Sequence, residues 1–280
     1  VRNHELKANH FDDGPFSDVP STLAAYDHDQ TGRPLVGGTT TLLLDGKTLA
    51  VEREHLSLVG TIRNCAGGTT PWGSWLSCEE DMTRAGDGVK RDHGWIFEVP
   101  AAHEGLVDPV PLKAMGRFNH EAAAVDPATG IVYLTEDRDD SLFYRFIPNV
   151  PGKLVEGGKL QALAFASDTL DNDSRNWSNP TFKPGAWQFV RWVDVDDVES
   201  PKDDLRQRGA SDGAVKFARG EGIIYGDGEF YFCCTSGGAA KEGQIMRYRP
   251  SRYEGLESEA KAPGLLQLFM ESTDRSQYSF

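Results

Sequence analysis

Four short acidic clusters carry the residues best able to do chemistry. They are Asn3-His4-Glu5, Cys78-Glu79-Glu80-Asp81, Asn119-His120-Glu121 and Arg219-Gly220-Glu221-Gly222, each close to a strand end. Carboxylates that converge cannot all stay charged alone; they protonate or bind cations. Hard cations favour carboxylate oxygen, so calcium or an iron(III)-type ion suits such a set. Cys78 beside Glu79 adds a thiolate, which suits a transition metal and not calcium. Arg219 is either a salt-bridge partner or a fork for a phosphate or carboxylate ligand. Each residue also has a plainer reading. Glu5, Glu121 and Glu221 read as turn carboxylates accepting backbone hydrogen bonds, and Cys78 as a small buried hydrophobe. His4 and His120 read as structural, each orienting the carboxylate beside it. The recurrence of Asn-His-Glu at two places favours a shared site. The run Glu136, Asp137, Asp139 and Asp140 reads mostly as a solvated loop.

These clusters need strands to hold them, and the sequence repeats one pattern. A glycine opens an alternating apolar strand, an acidic cluster follows, and a second strand ends at proline. Copies run from 72 to 100, from 130 to 148 and from 228 to 250, with a weaker one at 40–52. By period and composition each is a β-hairpin. Hairpins recurring at such intervals predict an all-β fold, a β-propeller whose inner strands would bring the clusters to one axis. An immunoglobulin-like sandwich is the alternative architecture. The stretch from about 150 to 212 reads as an insertion within a single domain spanning 1–280. Asp203 to Arg208 has room for a short helix, and 265–271 reads as a further strand.

Composition sets the outer limits. The 280 residues include 30 Gly and 15 Pro, which suits many short elements more than long helices. The net charge of −14 argues against a nucleic-acid or anionic-lipid binder. No apolar run approaches the ~20 residues that span a bilayer. The four cysteines do not make a disulfide framework in so long a chain. Phosphate-binding Gly-rich loops, Cys-x-x-Cys pairs, His-Glu-x-x-His and Gly-x-Ser-x-Gly elbows are all missing from the sequence.

Several blocks in order resemble the PhoX family of bacterial alkaline phosphatases. They are Asn3-His4-Glu5, Gly37-Gly38-Thr39-Thr40, Asn64-Cys65-Ala66-Gly67-Gly68, then Pro71-Trp72-Gly73-Ser74-Trp75-Leu76-Ser77-Cys78-Glu79-Glu80. Gly116-Arg117-Phe118-Asn119-His120-Glu121 and Arg219-Gly220-Glu221-Gly222 continue the series. The resemblance implies a six-bladed β-propeller that hydrolyses phosphate monoesters with iron(III) and calcium around a bridging oxo group. It implies Cys78, Glu79 and Glu121 as ligands of the cluster, Glu5 and Glu221 as further ligands shared between iron and calcium, and Arg219 gripping the phosphate. Glu121 and Glu221 would thus serve both catalysis and metal binding. It also implies export to the periplasm or beyond by the twin-arginine route, and parts of the family pattern that precede and follow this chain. Two other classes compete. One is a calcium-stabilised propeller that binds a partner and catalyses nothing. The other is a calcium-dependent propeller hydrolase of lactones or esters.

Overall fold

Strands form where apolar residues alternate between turns rich in glycine, proline and acid. The computed structural model describes residues 1, 4, 6, 7 and 20–280. Asn3 and Glu5 lie outside the described residues. β1 (Gly37–Leu44) and β2 (Val51–Thr61) make an antiparallel hairpin. Asp45 closes its turn, accepting hydrogen bonds from the amides of Lys47 and Thr48. β3 (Gly68–Thr69), β4 (Ser74–Cys78) and β5 (Ile96–Pro100) form a three-stranded sheet.

Two larger sheets follow. β6 (His120–Val125), β7 (Val132–Glu136), β8 (Phe143–Pro148) and β9 (Gly158–Phe165) pair antiparallel in chain order. After β10 (Trp187–Asp194) and the helix α1 (Leu205–Ser211), β11 (Gly220–Gly226), β12 (Glu229–Cys234), β13 (Gln244–Arg249) and β14 (Leu265–Glu271) repeat that plan. Asp227-Gly228 joins β11 to β12 with positive φ at both residues, as a tight two-residue hairpin turn requires. β10 belongs to both sheets: Trp187–Phe189 pairs with β14 and Val190–Asp194 with β9.

The sheets stack face to face like propeller blades, so the fold is all-β and propeller-like. Successive residues of β7 and β8 feed different apolar layers. Val132, Leu134, Tyr144 and Phe146 pack with Leu76 and Ile96. Tyr133 and Phe143 pack with Phe230, Phe232, Met246 and Tyr248 on the other side. β7 is therefore buried along its whole length, and Val132, Tyr133 and Leu134 follow one another without a polar residue between them.

The segment from 150 to 212 supplies β9, β10 and α1, and the short helix falls where the sequence left room for one. The central hairpins are the ones the sequence pattern marks. β6 and β11 carry Ala-rich and Gly-rich sequence with little apolar alternation, so the pattern passes over them.

Small residues at the centre let backbones approach closely. Gly67 bridges Ala122 in parallel, and a Cβ on Gly68 would lie 1.8 Å from the Ala123 carbonyl oxygen. Gly68→Ala is expected to lower the melting temperature sharply or prevent folding, since overpacking typically costs about 1–3 kcal/mol or more. Gly46→Ala, where a Cβ meets nothing within 4 Å, serves as the near-neutral control in thermal circular dichroism.

Candidate metal centre

The loop after β2 is laid against the ends of two other sheets by backbone and amide contacts. Asn64 is buried; its Oδ1 accepts from Thr61 Oγ1 at 2.7 Å and its Nδ2 donates to Ser77 Oγ at 2.8 Å. The Cys65 amide donates to the Cys78 carbonyl at 2.8 Å, and the Gly67 amide to the Glu121 carbonyl at 2.9 Å. The Ala66 amide reaches Glu121 Oε2 at 3.2 Å. Cys65, Glu80 and Glu121 thereby place one ligand atom each within 4.8 Å of one another, and all three residues are buried. His4 Nε2 lies 3.3 Å from Cys65 Sγ.

Like charge crowds this point. Burial pushes the Glu80 carboxyl up to about 7; the neighbouring Asp137 adds to the shift and Arg63 opposes it. Burial also raises the Cys65 thiol far above its ordinary range, with Glu121 and Glu80 adding to the effect. Glu221 is pushed up to about 7 by burial, then by Asp137 and Glu121. A multivalent cation reverses each of these shifts, because it favours thiolate and carboxylate over their protonated forms. One thiol with two carboxylates fits a transition metal that accepts both sulfur and oxygen, and it does not fit a calcium-only site.

Arg219 closes the opposite side. Its Nε and Nη2 donate to Asp137 Oδ1 and Oδ2 at 2.7 and 2.8 Å, and Nη2 also reaches Glu221 Oε1 at 2.9 Å. Thr235 Oγ1 donates to the same Glu221 oxygen at 3.2 Å. Asn119 Nδ2 links the two halves, donating to Glu80 Oε1 at 3.2 Å and to the Asp137 carbonyl at 3.0 Å. Arg63 pairs with Glu80 at 2.9 Å. Arg63 and Arg219 both hold left-handed backbone, with φ of 44° and 57°. Such conformations cost a non-glycine residue about 1–3 kcal/mol and concentrate at functional sites.

The structure brings Glu121, Glu221 and Arg219 together, and the Glu5 reading falls outside the described residues. Cys78 and Glu79 are placed elsewhere. Cys78 lies in the apolar layer with Leu76 and Ile96. Glu79 is fully buried and accepts hydrogen bonds on both oxygens. Oε1 faces His93 Nδ1 at 2.7 Å and the Ile62 amide at 3.1 Å, while Oε2 takes the Gly94 and Trp95 amides. Side chains alternate along an extended chain, so Glu79 and Glu80 face opposite ways. His120 does not orient Glu121: its Nε2 pairs with the Gly116 carbonyl at 2.9 Å, and burial pushes its pKa down to about 3. Cys65, Glu80, Asn119 and Asp137 are the site residues that sequence reasoning did not assign. The glycine pair after Cys65 was the available signal, because it marks a close backbone approach.

Within this propeller-like fold, a buried thiol and two buried carboxylates converge into a group that could hold a metal ion. The family model for alkaline phosphatase PhoX matches residues 25–279, and the chain belongs to that family. No curated protein sequence matches the chain. Among solved structures it is similar to Pseudomonas fluorescens PhoX in complex with vanadate, a transition state analogue. The identity is 20% and the TM-score 0.56, over 86% of this chain and 54% of that one. This chain therefore spans about half the length of that protein, and the likeness at this identity is one of fold. No helix among the described residues is long and apolar enough to cross a membrane.

The Glu79 anchor carries a pH signature. His93 is buried between Glu79 and Asp27, whose Oδ2 lies 3.2 Å from Nε2. Burial alone would lower its pKa, but Glu79 and then Asp27 outweigh it and raise the value from 6.5 to about 9. The group then stabilises the fold fully below pH 6.5, and that contribution fades as pH rises to about 9. Denaturant unfolding across this window is expected to show a loss on the order of 3 kcal/mol. His93→Gln should flatten that dependence; an equally steep decline in the variant would remove His93 as its source.

Proposed function

We propose that the chain is the metal-binding part of a phosphomonoesterase of the PhoX type, loaded with iron(III) and calcium, that acts in the periplasm or outside the cell. The convergence of Cys65, Glu80 and Glu121 beside Arg219 is the observation that carries this reading. When bound, the metals supply positive charge to phosphoryl oxygens and Lewis acidity for hydrolysis. Cys65, Glu80 and Glu121 would hold iron, and Glu221 and Asp137 would extend the acidic set toward calcium.

The protein groups have distinct tasks. Asp137 fixes the Arg219 fork from one side and Glu221 from another, which leaves Nη1 to donate to a phosphate oxygen. Asn119 holds Glu80 in place through its amide. The three donors are themselves buried. The net charge of −14 repels phosphate esters at long range, so attraction must be local, at the metals and at Arg219. The thiol donor is what favours this reading over a calcium-only binding module or a calcium-dependent lactone hydrolase.

Hydrolysis of p-nitrophenyl phosphate tests the proposal. Chelator treatment should abolish turnover, and full activity after chelation would overturn the reading. Arg219→Ala should lower kcat/KM by about ten-fold or more, the worth of a charge-assisted hydrogen bond.

A further inference from the structure

The cleft beside the metal-binding group has two arms of opposite character. One arm, about 380 Å³, runs along Asp137, Asp139, Asp140 and Arg219. The other, about 370 Å³, sets Lys7, Arg63 and Arg138 against Glu80 and Asp81. Glu80, Asn119 and Arg138 line both, so the arms form one trench. In a chain of net charge −14, an arm with three cations against two carboxylates is the one suited to an anion.

Arg138 stands at the divide. Its Nη2 is 3.8 Å from Asp203 Oδ2, beyond hydrogen-bond distance, and Asp203 is already paired with Arg206 Nη1 at 2.9 Å. Its side chain is 36% exposed. Its backbone, by contrast, is tied to the site: the Arg138 carbonyl accepts the Arg219 amide at 2.9 Å and the Ser141 amide at 3.1 Å. A loosely engaged guanidinium is thus held at a fixed point beside Asp137. Arg219 differs, since two of its three nitrogens are already committed to carboxylates.

We propose that Arg138 and its arm form a subsite for a second anionic group on the substrate, so that favoured substrates are phosphate monoesters whose leaving group carries a carboxylate or another phosphate. This rests on the phosphatase reading above. Arg138 acts as a specificity-determining residue: its fork matches the geometry of such an anion, and a neutral leaving group gains nothing from it.

The test compares 3-phosphoglycerate with glycerol 3-phosphate, which has the same skeleton without the carboxylate, using the metal-replete protein. The parent should favour 3-phosphoglycerate in kcat/KM. Arg138→Met should reduce that ratio about ten-fold, mainly through KM, and Arg138→Lys should restore part of it. An unchanged ratio in Arg138→Met overturns the subsite. Calorimetric titration of both esters separates this outcome from failure of the phosphatase reading. If neither ester is turned over, but 3-phosphoglycerate binds more tightly and loses that preference in Arg138→Met, the subsite stands and the phosphatase reading falls. Equal preference in parent and variant overturns the subsite.

Discussion

The close approach of two backbones at the centre of the fold is what the rest of the site depends on. The Gly67 amide donates to the Glu121 carbonyl, and the Ala123 amide returns the bond to the Gly67 carbonyl. Only glycine allows this spacing at positions 67 and 68, because a Cβ would meet the Leu76 or Ala123 carbonyl oxygen at about 2 Å. This contact joins the loop after β2 to the inner strand of the next sheet. Cys65 and Glu121 consequently face one another, although 55 positions separate the Ala66 amide from the Glu121 carboxylate it binds. The apolar layers on both sides of β7 keep the two sheets stacked, so the alignment does not rely on the polar groups themselves.

Electrostatics works against this arrangement and so identifies its purpose. A fold built only for stability would not gather a thiol and several carboxylates in a buried place. Arg63 and Arg219 offset part of the repulsion, each from strained backbone. Burial, with the neighbouring carboxylates adding to it, still pushes Glu80, Glu221 and Cys65 upward. The remaining imbalance is what a multivalent cation would relieve. Glu79 illustrates the contrast: it is equally buried, but three backbone amides and His93 satisfy it, and it serves the fold.

Much of the fold was legible because the central hairpins are apolar segments bounded by glycine and proline. Trp72 to Pro100, Gly130 to Pro148 and Gly228 to Pro250 all contain strands where that pattern placed them. β6 and β11 were not legible, since alanine and glycine at the axis answer to close packing and leave no apolar period. The site was legible as a set of clusters but not always at the level of the residue. Glu121, Glu221 and Arg219 were marked by type and position. Between Glu79 and Glu80, a single step of strand register decides which carboxylate faces the axis, and the sequence around them does not state that step. Between Cys65 and Cys78, the difference is one of placement: Cys65 lies in the loop beside Glu80 and Glu121, whereas Cys78 ends β4 within the apolar layer. Asp137 looked like part of a solvated acidic run, and only its bidentate contact with Arg219 separates it from its neighbours.

Elemental analysis of the protein purified without chelators tests the central claim most directly, with Cys65→Ser and Cys78→Ala compared against the parent. The account predicts iron together with calcium in the parent and in Cys78→Ala, and loss of iron from a folded Cys65→Ser. Iron retained in Cys65→Ser, or a folded parent free of both metals, would contradict it.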